Sequence, residues 1–121
     1  MECYAINSAE ISLTKIPLPG SPVRGSKTGA PIMALLDLLG RRWSMGVLWT
    51  LCEGGPATFR ELQSRCETIS PAVLNSRLKE LRKANLIDHH GDGYVPTKLG
   101  QELYDQIRPL GLWAKSWAKS L

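Results

Sequence analysis

The sequence predicts a mainly α-helical domain with one small β-hairpin, an α+β fold. Three observations predict it. Two helices with strong start and stop signals lie between Thr58 and Leu86, and two short extended runs flank a Gly-Asp-Gly turn just after them. An apolar stripe at helical spacing then continues to the C-terminus. With 121 residues, 43% of them hydrophobic, the chain is long enough for one domain with one core.

The first helix of the central pair is predicted to run from about Phe59 to Arg65. Thr58 stands three residues before Glu61, which is the spacing of a capping box. In that motif each side chain bonds to a backbone N–H group that the helix start leaves free. A short turn should follow, because the next helix start signal comes at residues 70 and 71.

The second helix of the pair is predicted at about residues 71–84. Ser70 can accept from free N–H groups as the N-cap, and Pro71 suits the first helical position because its missing donor would be unused there. At the other end Asn85 can adopt the left-handed conformation that lets Leu86 fold back on Leu81. Three leucines at helical spacing should face the core: Leu74, Leu78 and Leu81.

The opposite face of this helix carries small and polar residues near its start and basic residues further along. Such a face suits a helix laid in the DNA major groove, where the first residues read base edges and Lys or Arg meets phosphate. Arg77 lies nearer the buried side and could instead pair with an acidic neighbour. The candidate DNA contacts on the helix pair are Arg60, Ser70, Ala72, Val73, Asn75, Ser76, Arg77, Lys79 and Lys83.

The positive charge of the chain is concentrated in this central stretch. Residues 58–83 hold six basic and three acidic side chains, so +3 of the formal net charge of +4 lies there. A local basic face attracts polyanions more strongly than a diffuse excess of charge does. The alternative is a helix pair in a protein-interaction module, which would need the leucine stripe but not the basic face.

The hairpin is predicted within residues 87–95, directly after the second helix. A hairpin in that position is a wing, so the chain is predicted to have a winged helix-turn-helix architecture. Three wing residues are candidate DNA contacts: His89, His90 and Tyr94. Upstream of the central pair, Pro31 should open a short helix that ends at Gly40, and residues 41–53 should form a second, buried helix.

The two ends of the chain are predicted to differ. Residues 1–29 lack a sustained period and are rich in Pro and Gly in their second half, so we expect a mobile or surface-draped arm. Residues 30–121 form the domain, and about 97–121 should be a helix capped by Thr97 and kinked or restarted at Pro109. The apolar stripe at the C-terminal end of the domain predicts a homodimer through Leu110, Trp113, Trp117 and Leu121.

Residues 31–121 resemble the HxlR-type winged-helix transcriptional regulators, relatives of the MarR and ArsR types. The resemblance rests on three segments: Asp37 to Trp43 (DLLGRRW), Phe59 to Leu62 (FREL) and, above all, Ile69 to Ile87. It implies a homodimer joined through its N- and C-terminal helices, with Ile32, Leu35 and Leu36 of the N-terminal helix at the interface. It also implies one recognition helix per subunit in successive major grooves of double-stranded DNA. It also implies a regulator that can respond to oxidants, electrophiles or small aromatic compounds.

The sequence departs from this family at positions that affect function. Many members carry a redox-sensing cysteine immediately before the proline that opens the first helix, where this chain has Ala30. Asn85 replaces the usual glycine after the recognition helix, and the wing is shorter than in many members. If an aromatic effector binds, tryptophans could line its pocket between the terminal helices; the candidates are Trp43, Trp49, Trp113 and Trp117.

Other chemistry finds little support. Asp88-His89-His90 matches one signature of metal-dependent phosphoesterases, but such enzymes need several separated motifs. Cys52, Cys66 and the two histidines match no metal-ligand spacing, and three scattered cysteines form no disulfide framework. We therefore expect neither an enzyme nor a cofactor, with Cys3 and Cys66 as weak candidates for a reactive thiol. No segment predicts a membrane span or a signal peptide, so a cytoplasmic location is expected.

Overall fold

The computed structural model describes residues 16–121, and residues 1–15, which include Cys3 and half of the predicted arm, lie outside the described part. Helices and strands are numbered here from residue 16 onward. They are α1 (Pro31–Leu39), α2 (Ser44–Gly54), β1 (Ala57–Thr58), α3 (Phe59–Arg65), α4 (Pro71–Lys83), β2 (Ile87–His90), β3 (Gly93–Pro96) and α5 (Lys98–Lys119). This arrangement confirms the predicted winged helix-turn-helix fold.

The predicted start of α3 is confirmed in detail. The Thr58 hydroxyl accepts from the Glu61 N–H at 3.1 Å, and the Glu61 carboxylate accepts from the Thr58 N–H at 2.8 Å. The bond from the Thr58 backbone holds the pKa of Glu61 below its usual range. The capping box therefore places α3 at the position that the spacing predicts.

The end of α4 has the predicted left-handed residue. Asn85 has φ 65°, and the Leu86 N–H bonds back to the Leu81 carbonyl at 2.9 Å while the Asn85 N–H bonds to the Arg82 carbonyl at 2.9 Å. These two bonds form a Schellman motif. Thr97 then ties the next helix to this corner, because its hydroxyl donates to the Asn85 carbonyl at 2.8 Å.

The sheet has one strand more than the sequence predicted. β2 and β3 form the expected antiparallel hairpin, joined by Gly91 and Asp92, and β1 pairs with β3 on its other side. Gly91 has φ 62° at the first central position of this two-residue loop, where a type II′ turn requires a positive φ. The prediction missed β1 because a two-residue strand has no periodicity of its own.

The start of α2 is a correction. We predicted a helix from Arg41, but α2 begins at Ser44, after a turn in which Trp43 has φ 77°. The left-handed Trp43 changes the chain direction between α1 and α2. The fully buried members of the core come from three helices, α2, α3 and α4: Val47, Leu48, Leu51, Leu62, Leu74, Leu78 and Leu81.

The C-terminal helix is continuous, so it does not restart at Pro109, which was one of the two expectations for this residue. α5 contains Pro109 in its interior. Proline removes the N–H that would bond to the Asp105 carbonyl four residues earlier. Both residues are exposed, so water can satisfy that carbonyl. No helix between residues 16 and 121 is long and apolar enough to cross a membrane.

Residues 16–29, the second half of the predicted arm, lie against the domain. Ile16 and Pro17 are buried, and the Gly20 N–H bonds to the Gly29 carbonyl at 3.0 Å. The Arg24 backbone N–H donates to the Asp37 carboxylate of α1 at 3.1 Å. This segment therefore forms a closed turn beside α1.

Candidate nucleic-acid interface

The predicted recognition helix, α4, has one buried side and one exposed side. Leu74, Leu78 and Leu81 are at most 1% exposed and fill the core. Because three leucines at this spacing point one way, residues between them must face outward. Four of the residues predicted to contact DNA are exposed on that outer face: Ala72, Asn75, Lys79 and Lys83.

The first turn of α4 presents small polar groups. The Ser70 hydroxyl accepts from the Val73 N–H at 3.2 Å, so it caps the helix and keeps its own O–H free to donate. Asn75 is exposed and Ser76 is half-buried. An exposed asparagine can form two hydrogen bonds with an adenine edge, and serine can bond to a base edge or a phosphate.

Two residues of the predicted set have other roles in the structure. Val73 is half-buried and packs against the core, which leaves little of it for a base. The Arg77 side chain is only 17% exposed, and its Nη1 lies 2.6 Å from Oε1 of Glu80. We therefore remove Arg77 from the phosphate contacts, because its guanidinium already pairs with a buried carboxylate.

The C-terminal half of α4 borders a basic cleft of about 350 Å³. It is lined by Lys79, Arg82, Lys83, Asn85, Ile87 and Asp88. Within residues 16–121 the first three of these form no ion pair. Arg82 was not among the predicted contacts, although its position three residues after Lys79 places the two side by side on a helix.

The arginines of α3 are used differently. Arg60 is exposed and forms no ion pair or side-chain hydrogen bond with the described residues. Arg65, in the last turn, donates from Nη1 to the Gly55 carbonyl at 2.9 Å and so holds the loop before β1. Of the two, Arg60 remains available for a phosphate.

The wing carries an aromatic pair. His89 and Tyr94 lie opposite each other on β2 and β3, and their rings stack with centroids 4.2 Å apart. His90 is exposed, and its Nε2 lies 3.3 Å from the Asp88 carboxylate. Stacking fixes the orientation of the His89 ring at the edge of the wing.

A second exposed surface is apolar and lies away from the core. The predicted interface residues of α5 are more than half exposed, with Trp113 at 61% and Trp117 at 53%, and these two rings stack with centroids 6.3 Å apart. On α1, Ile32 and Leu36 are 60% and 54% exposed. Leu35 differs, because it is half-buried and lines a small cavity beneath residues 17–19.

One groove of the chain is lined by a single tryptophan. A groove of about 640 Å³ runs between α2 and α5, and its aromatic wall is Trp49, which meets Tyr104 edge-on at 5.2 Å. The Tyr104 hydroxyl donates to the Glu53 carboxylate, which raises the pKa of Tyr104. Of the tryptophans, only Trp49 contributes to this groove.

The cysteines of the described part are poorly suited to redox sensing. Burial, with the charges of Asp105 and Glu53, raises the pKa of Cys52 to about 11. Burial also raises the pKa of Cys66, against a bond to the Thr50 side chain and the charge of Arg65. A raised pKa keeps the thiol protonated and unreactive at neutral pH. No cluster of metal-ligating side chains is found in residues 16–121.

Comparison with known proteins identifies the family. The family model described as HxlR-like helix-turn-helix matches residues 38–121. The chain belongs to this family. It is 34% identical over 80 residues to the helix-turn-helix transcriptional regulator BH0655 of Halalkalibacterium halodurans, which covers 66% of this chain and 71% of that protein. With the regulator YybR of Bacillus subtilis it shares 28% identity over 98 residues, or 78% of each chain.

A solved structure gives the same result for the fold. Quinone-bound YodB from B. subtilis superposes with a TM-score of 0.67 and 28% sequence identity, over 70% of this chain and 96% of YodB. The relatives are transcriptional regulators, and this protein is accordingly a DNA-binding regulator of the HxlR-like type.

Proposed function

We propose that the protein binds double-stranded DNA as a homodimer, and that each protomer lays the start of α4 in a major groove. The observation that supports the proposal is that α4 has one buried apolar face and one exposed polar face. Its leucine side is fully buried within the chain, while Ala72, Asn75 and Lys79 on the other side are exposed. A helix of this kind offers base-reading groups at its start and cations further along.

The contacts divide into two classes. Ser70, Ala72, Asn75 and Ser76 would meet base edges, because they lie in the first two turns. The phosphate contacts would be Arg60, Lys79, Arg82 and Lys83, which form no ion pair within the described residues. His89, His90 and Tyr94 place the wing beside the neighbouring backbone. Three of these cations, Lys79, Arg82 and Lys83, line one cleft and favour DNA over a protein partner that would not need them.

The second half of the proposal is the dimer. Trp113 and Trp117 on α5, together with Leu121 just beyond its end, expose a large apolar surface, and soluble proteins rarely leave such a surface open. A two-fold dimer would set two recognition helices about one helical turn of DNA apart, roughly 34 Å. The two helices would then read the two halves of a palindromic site.

Salt-dependent DNA binding tests this function. The full chain is titrated into a labelled duplex while fluorescence anisotropy is measured at several salt concentrations. Each phosphate that is neutralised contributes about −0.9 to the slope of log K against log salt. We expect a slope of about −4 or steeper for a dimer with several contacts per protomer. Absence of binding at low salt would refute the proposal.

A small aromatic effector is a second candidate function. The solved YodB relative is bound to a quinone, and the present chain has a groove beside Trp49 whose size suits a small molecule. Quenching of tryptophan fluorescence by a panel of quinones tests it, with Trp49→Phe as the control. Equal quenching in both proteins would exclude this groove.

A further inference from the structure

A buried group of three charged side chains connects the turn before α2 to the recognition helix. We call Arg41, Arg77 and Glu80 the Glu80 triad. Nη1 of Arg41 lies 2.9 Å from Oε2 of Glu80, and Nη1 of Arg77 lies 2.6 Å from Oε1 of the same carboxylate. Each carboxylate oxygen therefore has its own guanidinium.

The burial of the triad shows that it is a structural junction. Glu80 is 4% exposed, and the side chains of Arg77 and Arg41 are 17% and 27% exposed. Removing a carboxylate from water is costly unless it is paired and hydrogen-bonded. Replacement of such a group by apolar residues is often neutral or stabilising, so stability alone does not explain it. What a buried charged group can provide is one defined arrangement of the elements that it joins.

The position of Arg41 determines which elements are joined. It directly follows Gly40, the C-cap of α1, and α1 carries the exposed Ile32 and Leu36 of the proposed dimer surface. Glu80 lies on α4 next to Lys79, a proposed phosphate contact. The Arg41–Glu80 contact is thus a direct polar link between the end of α1 and the DNA-reading helix, whereas Arg77–Glu80 lies within α4.

We infer that Arg41 and Glu80 are positioning residues that fix the orientation of α4 relative to α1, and thereby set the distance between the two recognition helices of the dimer. This inference rests on the proposed function. It assigns a role to Arg41, the first of the two arginines in the DLLGRRW segment, which is not among the proposed DNA contacts. Loss of the link should change how far apart two half-sites lie, without changing the sequence of each half-site.

Selection of binding sites from random duplexes tests this role. The wild-type chain, Arg41→Gln and Arg42→Gln are each used to enrich DNA, and half-site sequence and spacing are read separately. Arg42→Gln is the matched control, because Arg42 is exposed and forms no ion pair or hydrogen bond through its side chain with the described residues. We expect Arg41→Gln to keep the wild-type half-site but accept several spacings, with discrimination between spacings reduced about tenfold.

The outcomes separate the alternatives. A wild-type spread of spacings for Arg41→Gln would overturn the inference, even if its affinity falls, because Arg41 would then act only through charge or stability. If Arg41→Gln does not fold, Arg41→Lys, which keeps the charge and one donor, should show a smaller broadening. If Arg41→Lys keeps the wild-type spread, the inference is overturned in the same way.

A measurement without DNA distinguishes failure of this inference from failure of the proposed function. Nitroxide labels at Asn75→Cys, in a chain whose native cysteines are replaced, report the distance between the two α4 helices by pulsed electron resonance. We expect a narrow distribution for the wild-type sequence and a broad one for Arg41→Gln. Equal widths would overturn the inference. If no DNA is enriched but Arg41→Gln still broadens the distance distribution, only the proposed function is rejected. If no dipolar signal is seen at all, the dimer is rejected, and the inference with it.

Discussion

The helices α4 and α5 each carry an apolar stripe, but only the stripe of α4 is covered within the chain. Leu78 of α4 is 1% exposed, whereas Trp117 and Leu121, at the end of the chain, are 53% and 86% exposed. Both patterns look alike in the sequence, because both repeat at helical spacing. The difference lies in what each helix packs against.

This difference indicates that the two helices serve different parts of the function. The chain by itself holds α4 in place through the core, the caps and the Glu80 triad, so the proposed recognition helix needs no second chain for its position. In contrast, no described residue packs over the apolar stripe in the C-terminal half of α5. Variants of α4 should therefore affect folding or DNA contact, and variants of α5 should affect association.

The largest effect is expected at the buried stripe. Leu78→Ala should lower the free energy of unfolding by about 2 to 5 kcal/mol, because it leaves a cavity among fully packed leucines. Urea denaturation at a fixed protein concentration measures this change. Leu99→Ala, at a residue that is 51% exposed on the first turn of α5, is the control and should change the free energy by less than about 0.5 kcal/mol. Equal losses in the two variants would show that the buried and exposed stripes do not differ.

Variants in the exposed stripe of α5 should weaken the association of two protomers. Trp117→Ala should weaken the dimer by about thirtyfold, the effect of removing an aromatic side chain at the centre of an interface. Sedimentation velocity over a range of concentrations measures the dissociation constant. Gln101→Ala, an exposed change near the start of the same helix, should leave it unaltered. A Trp117→Ala dimer of wild-type affinity would contradict the role of this face.

Variants on the outer face of α4 should change the salt dependence of DNA binding. Lys79→Ala should reduce the magnitude of the salt slope by about 0.9 per protomer, because one phosphate contact is lost. Lys119→Ala removes the same charge from the last turn of α5 and should leave the slope unchanged. Anisotropy titrations at several salt concentrations compare the two. Similar slopes for both variants would remove Lys79 from the phosphate contacts.

The smallest effect is expected at the end of α4. Asn85→Ala should cost about 1 to 2 kcal/mol, because alanine at φ 65° is strained. Asn85→Gly should be nearly neutral, since glycine adopts this conformation freely. Thermal unfolding of both variants provides the comparison. If the two variants unfold at the same temperature, backbone strain at this corner does not matter.

Local signals explain which parts of the fold could be predicted from the sequence. The caps at Thr58, Ser70 and Thr97 and the stop at Asn85 each depend on a few neighbouring residues, and the structure confirms all four. β1 was missed, because Ala57–Thr58 forms a strand only by pairing with β3, which lies far along the chain. The left-handed Trp43 was missed for a similar reason, since no local rule favours that conformation for tryptophan.

In the candidate site too, features set by neighbouring residues could be predicted, whereas features set by distant contacts could not. Helical spacing placed Asn75 and Lys79 on the outer face, where the structure has them. It could not assign Glu80, which looks like an ordinary surface acid until Arg41 is brought to it across 39 positions of sequence. Helical spacing also selected Leu35 together with Ile32, but the packing of residues 17–19 covers it. Contacts between distant segments decide these cases.

Hydroxyl-radical footprinting on an enriched DNA site tests the central claim most directly. A homodimer with one α4 in each of two successive major grooves should protect two patches on one side of the duplex. Their centres should lie about 10 base pairs apart, one helical turn. A single protected patch, or two patches on opposite sides of the duplex, would contradict the proposed arrangement.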